Sequence, residues 1–151
     1  MRVSARSDYA VRALIEVAGR PGEPVTADQV SRAQGIPLKF LLGILGDLRR
    51  SGLVRSQRGP SGGYLMDREP ESITVADIMR AVDGPLASVQ GSRPESMTYP
   101  GSAARLQEVW VALRASLRTV LEAVTLADLV SGDLPPVIAE LTRDAEAWSR
   151  R

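Results

Sequence analysis

The sequence predicts a mainly α-helical fold with one small β-hairpin and one long helix in its C-terminal half. Apolar residues recur at helical spacing through most of the chain. Three glycines separate two short apolar runs near the middle, and a later segment keeps an apolar seam with alternating spacings of four and three. Aromatic residues make up only 4% of the 151 residues, so we expect an aliphatic core.

Three helices are predicted in the first third of the chain, over residues 6–18, 27–34 and 37–51. Either Ser7 or Asp8 could cap the first, and Thr26 is a good N-cap for the second. Gly35 stands where the second helix should end, and Pro37 suits the first turn of the third. Helix, short glycine turn and helix is the layout of a helix-turn-helix, although many helical proteins contain one.

A β-hairpin is predicted directly after the third helix, with strands over residues 53–56 and 64–66. The turn between them carries Arg58 and is rich in glycine. A hairpin in this place is a wing, and wings commonly lay a basic tip along or into the minor groove of DNA. The glycines could instead cradle a nucleotide phosphate, but that fingerprint needs a helix to open from them, whereas here a strand stands on both sides.

Charge is distributed unevenly, although the net charge is only +1. Residues 1–70 carry eleven Lys/Arg against seven Asp/Glu, and residues 71–151 carry eight against eleven. The basic first half indicates a polyanion partner, with chance clustering as the alternative.

No apolar run approaches the ~18 residues that span a bilayer, and no hydrophobic signal segment follows the first residues. We therefore expect a cytoplasmic location and no membrane partner.

The chain has no cysteine and no histidine. This composition excludes disulfides, thiolate nucleophiles, imidazole bases and zinc sites of the nitrogen/sulfur kind. Carboxylate-only metal sites and acid/base pairs stay chemically open, but no Asp/Glu constellation indicates one. We therefore predict no metal site and no enzyme.

The second half is predicted to hold a short helix, a loop and a long helix. The short helix covers 72–82 with Thr74 as a cap, the mobile loop covers 87–102, and the long helix covers 103–124. A short helix over 125–130, which begins with Thr125 as its cap, and a final helix over 137–148 complete the chain. The apolar seam of the long helix consists of Leu106, Trp110, Leu113, Leu117, Val120 and Val124. A twin helix from a second chain would cover this seam, and packing against the last helix of the same chain is the alternative.

Several motifs occur in a family-specific order, at 8–14, 48–54, 58–65, 73–78, 81–86 and 124–129. Arg-Gly-Pro-x-Gly-Gly-Tyr, from Arg58 to Tyr64, is the most specific of them. Over about residues 1–130 the chain resembles the Rrf2 family of bacterial regulators, which includes the cluster-binding IscR and NsrR and the cysteine-metabolism repressor CymR.

The resemblance implies a sequence-specific transcription regulator, expected to be a repressor, that binds a palindromic operator as a homodimer. It divides the chain into a winged helix-turn-helix domain at 1–83, an effector or sensor loop at 84–102, and a dimerisation helix with C-terminal helices at 103–151. Recognition helices of such a dimer address half-sites about 34 Å apart, or a multiple of that distance.

The resemblance also implies which residues contact DNA. On the third helix they are Pro37, Lys39, Phe40, Leu42 and Gly43, and before and in the wing they are Arg49, Arg50, Arg55, Arg58, Gly59, Ser61 and Gly62. Arg58 is the strongest candidate, and Lys39 suits a phosphate or a guanine. Phe40 could touch a thymine methyl group or take a half-buried role in the core.

The sensor departs from the family. Cluster-binding members carry three cysteines, which would fall near Ser92, Thr98 and Ala104, with a further ligand near Gln107, and none of these residues is a thiolate. Asp8 matches an oxygen ligand of one relative, although a helix-start role is favoured here. We therefore expect no iron–sulfur cluster.

Three alternatives for the signal stay open. The loop could form a pocket for an organic effector with Met97, Tyr99 and Trp110, it could dock another protein, or the chain could bind DNA constitutively. For Met97 and Tyr99, ordinary loop packing is the favoured interpretation.

Overall fold

The structure is a computed structural model that describes residues 2–149. Met1, Arg150 and Arg151, which belong to the first and last predicted domains, lie outside the described residues. The helices are α1 (Ala5–Ala18), α2 (Ala27–Gln34), α3 (Leu38–Arg50), α4 (Val75–Asp83), α5 (Leu106–Leu121), α6 (Leu126–Ser131) and α7 (Pro136–Thr142), and the strands are β1 (Val54–Gln57) and β2 (Gly63–Met66). The mainly helical prediction is thereby confirmed.

α1 begins earlier than predicted because Ser4 caps it. The Ser4 hydroxyl oxygen accepts a hydrogen bond from the Ser7 backbone N–H at 2.9 Å. The prediction that Ser7 or Asp8 caps the helix is wrong. Ser7 is buried inside the first turn, and its hydroxyl donates to the Asp83 carboxylate at the end of α4 (2.6 Å).

The helix-turn-helix consists of α2, a three-residue turn and α3. Thr26 caps α2 in a capping box with Gln29, as its sequence predicts. Gly35 ends α2 with φ of 63°, a left-handed conformation that favours glycine. Pro37 has a non-helical ψ of 126° and therefore stands immediately before α3. The prediction that Pro37 lies in the first turn of the helix is wrong.

The core is aliphatic and is centred on α1, which packs against α3, α4 and α6. Its largest fully buried side chains include Leu14, Leu41, Leu45, Ile78 and Leu126. Each such burial contributes about 1.5–3 kcal/mol relative to an exposed side chain. α3 is therefore held rigidly, with one face in the core and the other in solvent.

The hairpin pairs β1 with β2 in antiparallel register, from Val54 opposite Met66 to Gln57 opposite Gly63. It is tied to the segment before α2 by two backbone hydrogen bonds between Val25 and Tyr64, at 2.8 and 2.9 Å. Wing and helix-turn-helix thus share one frame.

The second half differs from its prediction in its boundaries. The short helix is Val75–Asp83 behind the predicted cap Thr74, and a 3₁₀ turn over residues 70–72 precedes it. α5 is shorter than the predicted 103–124 because residues 101–103 form a separate 3₁₀ turn. The predicted final helix is divided: α7 ends at Thr142, and a 3₁₀ turn follows over residues 145–148.

The end of α5 and α6 return to the winged head. The Val75 N–H donates to the Val124 carbonyl, and the Leu126 N–H donates to the Ile73 carbonyl, at 2.9 and 2.8 Å. Residues 124–131, which the predicted division assigns to the C-terminal unit, therefore contribute to the core of the head. None of the helices described is long and apolar enough to cross a membrane.

Candidate nucleic-acid interface

α3 presents two chemically distinct faces. Its buried stripe is Leu41, Ile44, Leu45 and Leu48. All five residues predicted to contact DNA from this element, Pro37, Lys39, Phe40, Leu42 and Gly43, are exposed. Phe40 is 64% exposed, so its alternative role in the core is wrong: the stripe begins one residue later, at Leu41.

The centre of the outer face is nearly bare. Gly43 has open space where a side chain would stand, and Gly46 lies one turn further along. Lys39 extends from the start of this face and has no hydrogen bond or ion pair to any residue within 2–149. The position of Gly43 is free of side-chain bulk, although Phe40 and Leu42 stand exposed beside it, and Lys39 is free to reach a phosphate or a guanine.

The wing owes its shape to Gly62 and Gly63. A Cβ atom on Gly62 would lie 2.2 Å from the Gln57 carbonyl oxygen, and one on Gly63 would lie 2.7 Å from the carbonyl of Val25. Gly63 also has φ of 152°. These glycines are needed where backbones nearly touch, which gives Gly62 a structural role beside its predicted contact with DNA.

The predicted arginines differ in how firmly they are paired. Arg50 pairs with Asp47, and Arg55 lies 4.0 Å from the Asp67 carboxylate. Arg49 has only a 3.5 Å contact with the Ser56 hydroxyl. Arg58 is exposed at the wing tip and has no ion pair in the described part of the chain. Because exposed pairs contribute only about 0–1 kcal/mol, Arg49, Arg50 and Arg55 can exchange their partners for phosphates, and Arg58 has no partner to give up.

Gly59 and Ser61 complete the predicted contacts and are exposed in the wing turn beside Arg58. The sequence reasoning missed Leu38, which is 41% exposed at the start of α3. The sequence could have shown this, because an apolar stripe that begins at Leu41 leaves the side chains of the preceding turn of α3 outside the core. The candidate interface therefore combines exposed apolar side chains at the start of α3 with cations at its edge and on the wing.

α5 is only partly covered by the rest of the described chain. None of its sixteen residues is buried. From the predicted seam, Leu106 and Leu113 are exposed, while Trp110, Leu117 and Val120 are partly buried. The prediction that Val124 belongs to the exposed seam is wrong. Val124 is only 6% exposed and lies beyond the end of α5, in the chain's own core. The heptad spacing continues into it, but the hydrogen bond from Val75 turns the chain inward at this point.

The predicted effector residues do not form one site. Trp110 lines a cleft of about 520 Å³ between the loop and α5, but Met97 and Tyr99 do not line it, although both are partly buried. Asp8 is exposed in α1 and pairs with Arg12 at 3.0 Å.

The residues at the family's cluster position do not suit iron. Ser92, Thr98 and Ala104 provide no thiolate, and the side-chain amide of Gln107 donates to the Glu95 carbonyl at 3.0 Å. Across the described residues, no group of three or more His, Cys, Asp or Glu side chains could hold a metal ion. The donor set therefore does not fit an iron–sulfur cluster.

Two carboxylates brace α5. Hydrogen bonds from Arg118 and Arg80 lower the pKa of Glu122 to about 2, and Arg80 lies on α4, so this group joins the head to the end of α5. A hydrogen bond from Arg114 likewise lowers the pKa of Glu95 in the loop.

Comparison with known proteins agrees with this geometry. The profile of the Rrf2 family, described as iron-dependent transcriptional regulators, matches residues 3–132. The candidate HTH-type transcriptional regulator Rv1287 of Mycobacterium tuberculosis is 47% identical over 148 residues, which cover 97% of this chain and 92% of the relative. CymR of Bacillus subtilis is 33% identical over 132 residues, which cover 87% of this chain and 91% of CymR.

Solved structures give the same result. The structure of CymR, the global cysteine regulator of B. subtilis, matches with a TM-score of 0.74 at 32% identity and covers 87% of this chain and 98% of its own. The structure of IscR from T. potens matches with a TM-score of 0.71 at 32% identity and covers 87% and 88%. A mainly helical fold with a small two-stranded wing is common to these regulators and this chain.

Proposed function

Because the chain belongs to the Rrf2 family of transcriptional regulators, we propose that it binds operator DNA as a homodimer and represses transcription in the cytoplasm. α3 enters the major groove of each half-site, and the wing tip lies on the adjacent backbone or minor groove. Two heads related by a twofold axis require a palindromic operator, with half-sites about 34 Å apart or a multiple of that distance.

One observation carries the proposal: two unpaired cations stand on two elements that one rigid frame holds. Lys39 on α3 and Arg58 on the wing have no ion pair in residues 2–149. The Val25–Tyr64 hydrogen bonds tie the wing to the helix-turn-helix. Cations that are already free and held in a fixed relation lose little on binding a duplex, so they supply phosphate attraction and set the register of α3.

The partly covered α5 supports the homodimer. A helix of sixteen residues is about 24 Å long, and no residue of its apolar seam from Leu106 to Val120 is fully buried by the elements within 2–149. A second copy of α5 covers such a seam at least cost, because both chains then present the same complementary surface.

The regulator works without an iron–sulfur cluster. The support is the donor chemistry: a chain without cysteine or histidine cannot supply the thiolates that hold such clusters. In this respect it differs from the iron-dependent description of its family.

The experiment is fluorescence anisotropy with a labelled fragment of the chain's own promoter and a random duplex of the same length. We expect the affinity to fall steeply as salt rises from about 50 to about 200 mM, because bound cations release counterions from DNA. Arg58→Ala should weaken binding to both duplexes and lower the salt slope by about 1.

Arg143→Ala is the matched control, since it removes the same charge from an exposed residue after α7. It should leave both affinities unchanged. A flat salt response would contradict DNA binding and favour a protein-interaction module. If Arg58→Ala relaxed the choice of one base while random binding stayed intact, the electrostatic role of the wing would be wrong.

A further inference from the structure

A mainly apolar cleft lies between the loop after α4 and the first half of α5. Its volume is about 520 Å³, and its walls include Pro85, Val89 and Pro94 from the loop and Trp110 and Leu113 from α5. Trp110 and Leu113 also belong to the seam proposed to pair with a second α5. Pockets of this size and character are where small organic ligands bind in proteins.

Two buried donors at this place lack an acceptor. The Trp110 indole Nε1 and the Arg114 guanidinium Nε are buried and have no hydrogen-bond partner among the residues described. They stand four residues apart on α5, so they lie on the same face of the helix. Since buried donors are nearly always satisfied, two neighbouring exceptions mark this part of α5 as one whose hydrogen bonds the described residues do not complete.

A basic cavity adjoins the cleft. Its volume is about 270 Å³, and Arg80, Arg93 and Arg114 line it. Pro85 lines both spaces, so the cleft and the basic cavity share a wall. Three guanidinium groups around one small space suit a carboxylate, a phosphate or a sulfonate.

The carboxylates that face this basic cavity leave one arginine unpaired. Arg80 pairs with Asp77 and Glu122, and Arg114 pairs with Glu95. Arg93 is exposed and makes no ion pair within 2–149. It is therefore the cation most ready to receive an anion.

The loop is held in an unusual shape where it lines the cleft. Ala87 and Gln90 have φ of 50° and 52°, in the left-handed region that residues other than glycine seldom adopt, and both line the cleft. Such a backbone persists only where its surroundings determine it, which indicates a formed cavity rather than a gap in a slack loop.

We propose that the cleft and the basic cavity together bind a small organic anion with an apolar body, such as an aromatic carboxylate. The apolar part lies against Trp110 and Pro94, and the acidic group receives hydrogen bonds from Arg93 and Arg114. Because Arg80 on α4 also lines the basic cavity, the bound anion lies between α4 of the head and α5 and changes how firmly the head is held. That regulatory consequence rests on the proposed DNA-binding function, whereas the binding itself does not.

The test uses the full chain and two dyes that share their aromatic rings. Anilinonaphthalene sulfonate is an anion that fluoresces in an apolar site, and phenylnaphthylamine is its uncharged counterpart. We expect one sulfonate per chain, bound more tightly than the neutral dye. Arg114→Gln and Arg93→Gln should each weaken sulfonate binding about tenfold, the effect of one charged hydrogen bond, and leave the neutral dye unaffected.

Arg105→Gln is the matched control, since Arg105 is an exposed arginine at the start of the same helix and lines neither space. It should bind the sulfonate as the wild type does. Arg114→Gln removes the ion pair with Glu95 and could therefore disturb the loop. Arg93→Gln removes no ion pair of the described residues, so the test stays valid with that variant alone.

Two results would overturn the inference. The first is that both dyes bind equally tightly, or that neither variant changes the affinity for the sulfonate. Either outcome would mean that the dye binds a general apolar surface, such as the exposed part of α5, and not an anion site. The second is a dimer that binds no sulfonate, which would mean that the partner chain fills the cleft through Leu113. DNA affinity measured without dye separates the two claims: DNA binding without a dye site refutes only this inference, and a dye site without DNA binding refutes only the proposed function.

Discussion

Replacing Gly63 by alanine should detach the wing from the helix-turn-helix. The new Cβ would lie 2.7 Å from the carbonyl carbon and oxygen of Val25 and 2.9 Å from its nitrogen. These are backbone atoms, which cannot turn aside as a flexible side chain can, so the segment at Val25 must move away, and we expect the two Val25–Tyr64 hydrogen bonds to be lost. Their loss costs about 1–3 kcal/mol in folding free energy. The left-handed φ of 152° costs an alanine about 1–3 kcal/mol more.

The expected total of about 2–6 kcal/mol corresponds to a fall in melting temperature of roughly 4–24 °C for a chain of this size. Thermal denaturation followed by circular dichroism measures it, and amide hydrogen exchange at Val25 and Tyr64 locates it. Gly59→Ala is the control, since Gly59 also has a positive φ but no atom within 4 Å of the new Cβ. The reasoning is refuted if Gly63→Ala has the same melting temperature as Gly59→Ala and the amides of Val25 and Tyr64 stay protected from exchange, since the close approach at Gly63 would then not hold the wing.

Three further predictions concern other parts of the molecule. Leu113→Glu with Leu117→Glu should weaken dimerisation about a hundredfold or more, as measured by sedimentation, whereas Val111→Glu, off the seam of the same helix, should not; an unchanged dimer would place the interface elsewhere. Glu122→Gln should destabilise the fold at neutral pH, because the pKa of Glu122 is lowered from about 4.5 to about 2 and its ion pairs stabilise only the charged form. The difference from wild type should shrink as pH falls from about 4.5 towards 2, and a constant difference in urea midpoints would contradict the brace. Gly43→Ala should raise the melting temperature by about 2–4 °C, since it gains up to about 1 kcal/mol of helix propensity, yet lower DNA affinity by adding bulk to the outer face of α3; equal DNA affinity would refute close approach of that face.

Local chemistry made the helix starts predictable where one residue had no competitor. Thr26, Thr74 and Thr125 were each predicted as caps, and each closes a capping box in the structure. The start of α1 was misjudged because Ser4, Ser7 and Asp8 are all good caps. Ser4 and Ser7 both donate hydrogen bonds to the carboxylate of Asp83, which is distant in sequence, so the spacing of the caps alone could not show which of them begins the helix.

Contacts between distant segments could not be predicted from spacing. Val124 continues the heptad pattern of α5, and only its hydrogen bond with Val75 shows that it belongs to the core. The loop after α4 gave no periodic signal at all. Met97 and Tyr99 attracted attention as large side chains, whereas the cleft is formed around Trp110, with Arg93 and Arg114 beside it. Arg114 could have been found, since it lies one helical turn after Trp110.

Selection of bound duplexes from a random pool tests most directly whether paired basic heads read DNA. Full-length protein should enrich an inverted repeat whose half-site centres lie about 34 Å apart, or a multiple of it, and Leu113→Glu with Leu117→Glu should abolish that symmetry. Enrichment of a single unrepeated motif by the wild type, or no enrichment at low salt, would contradict the account.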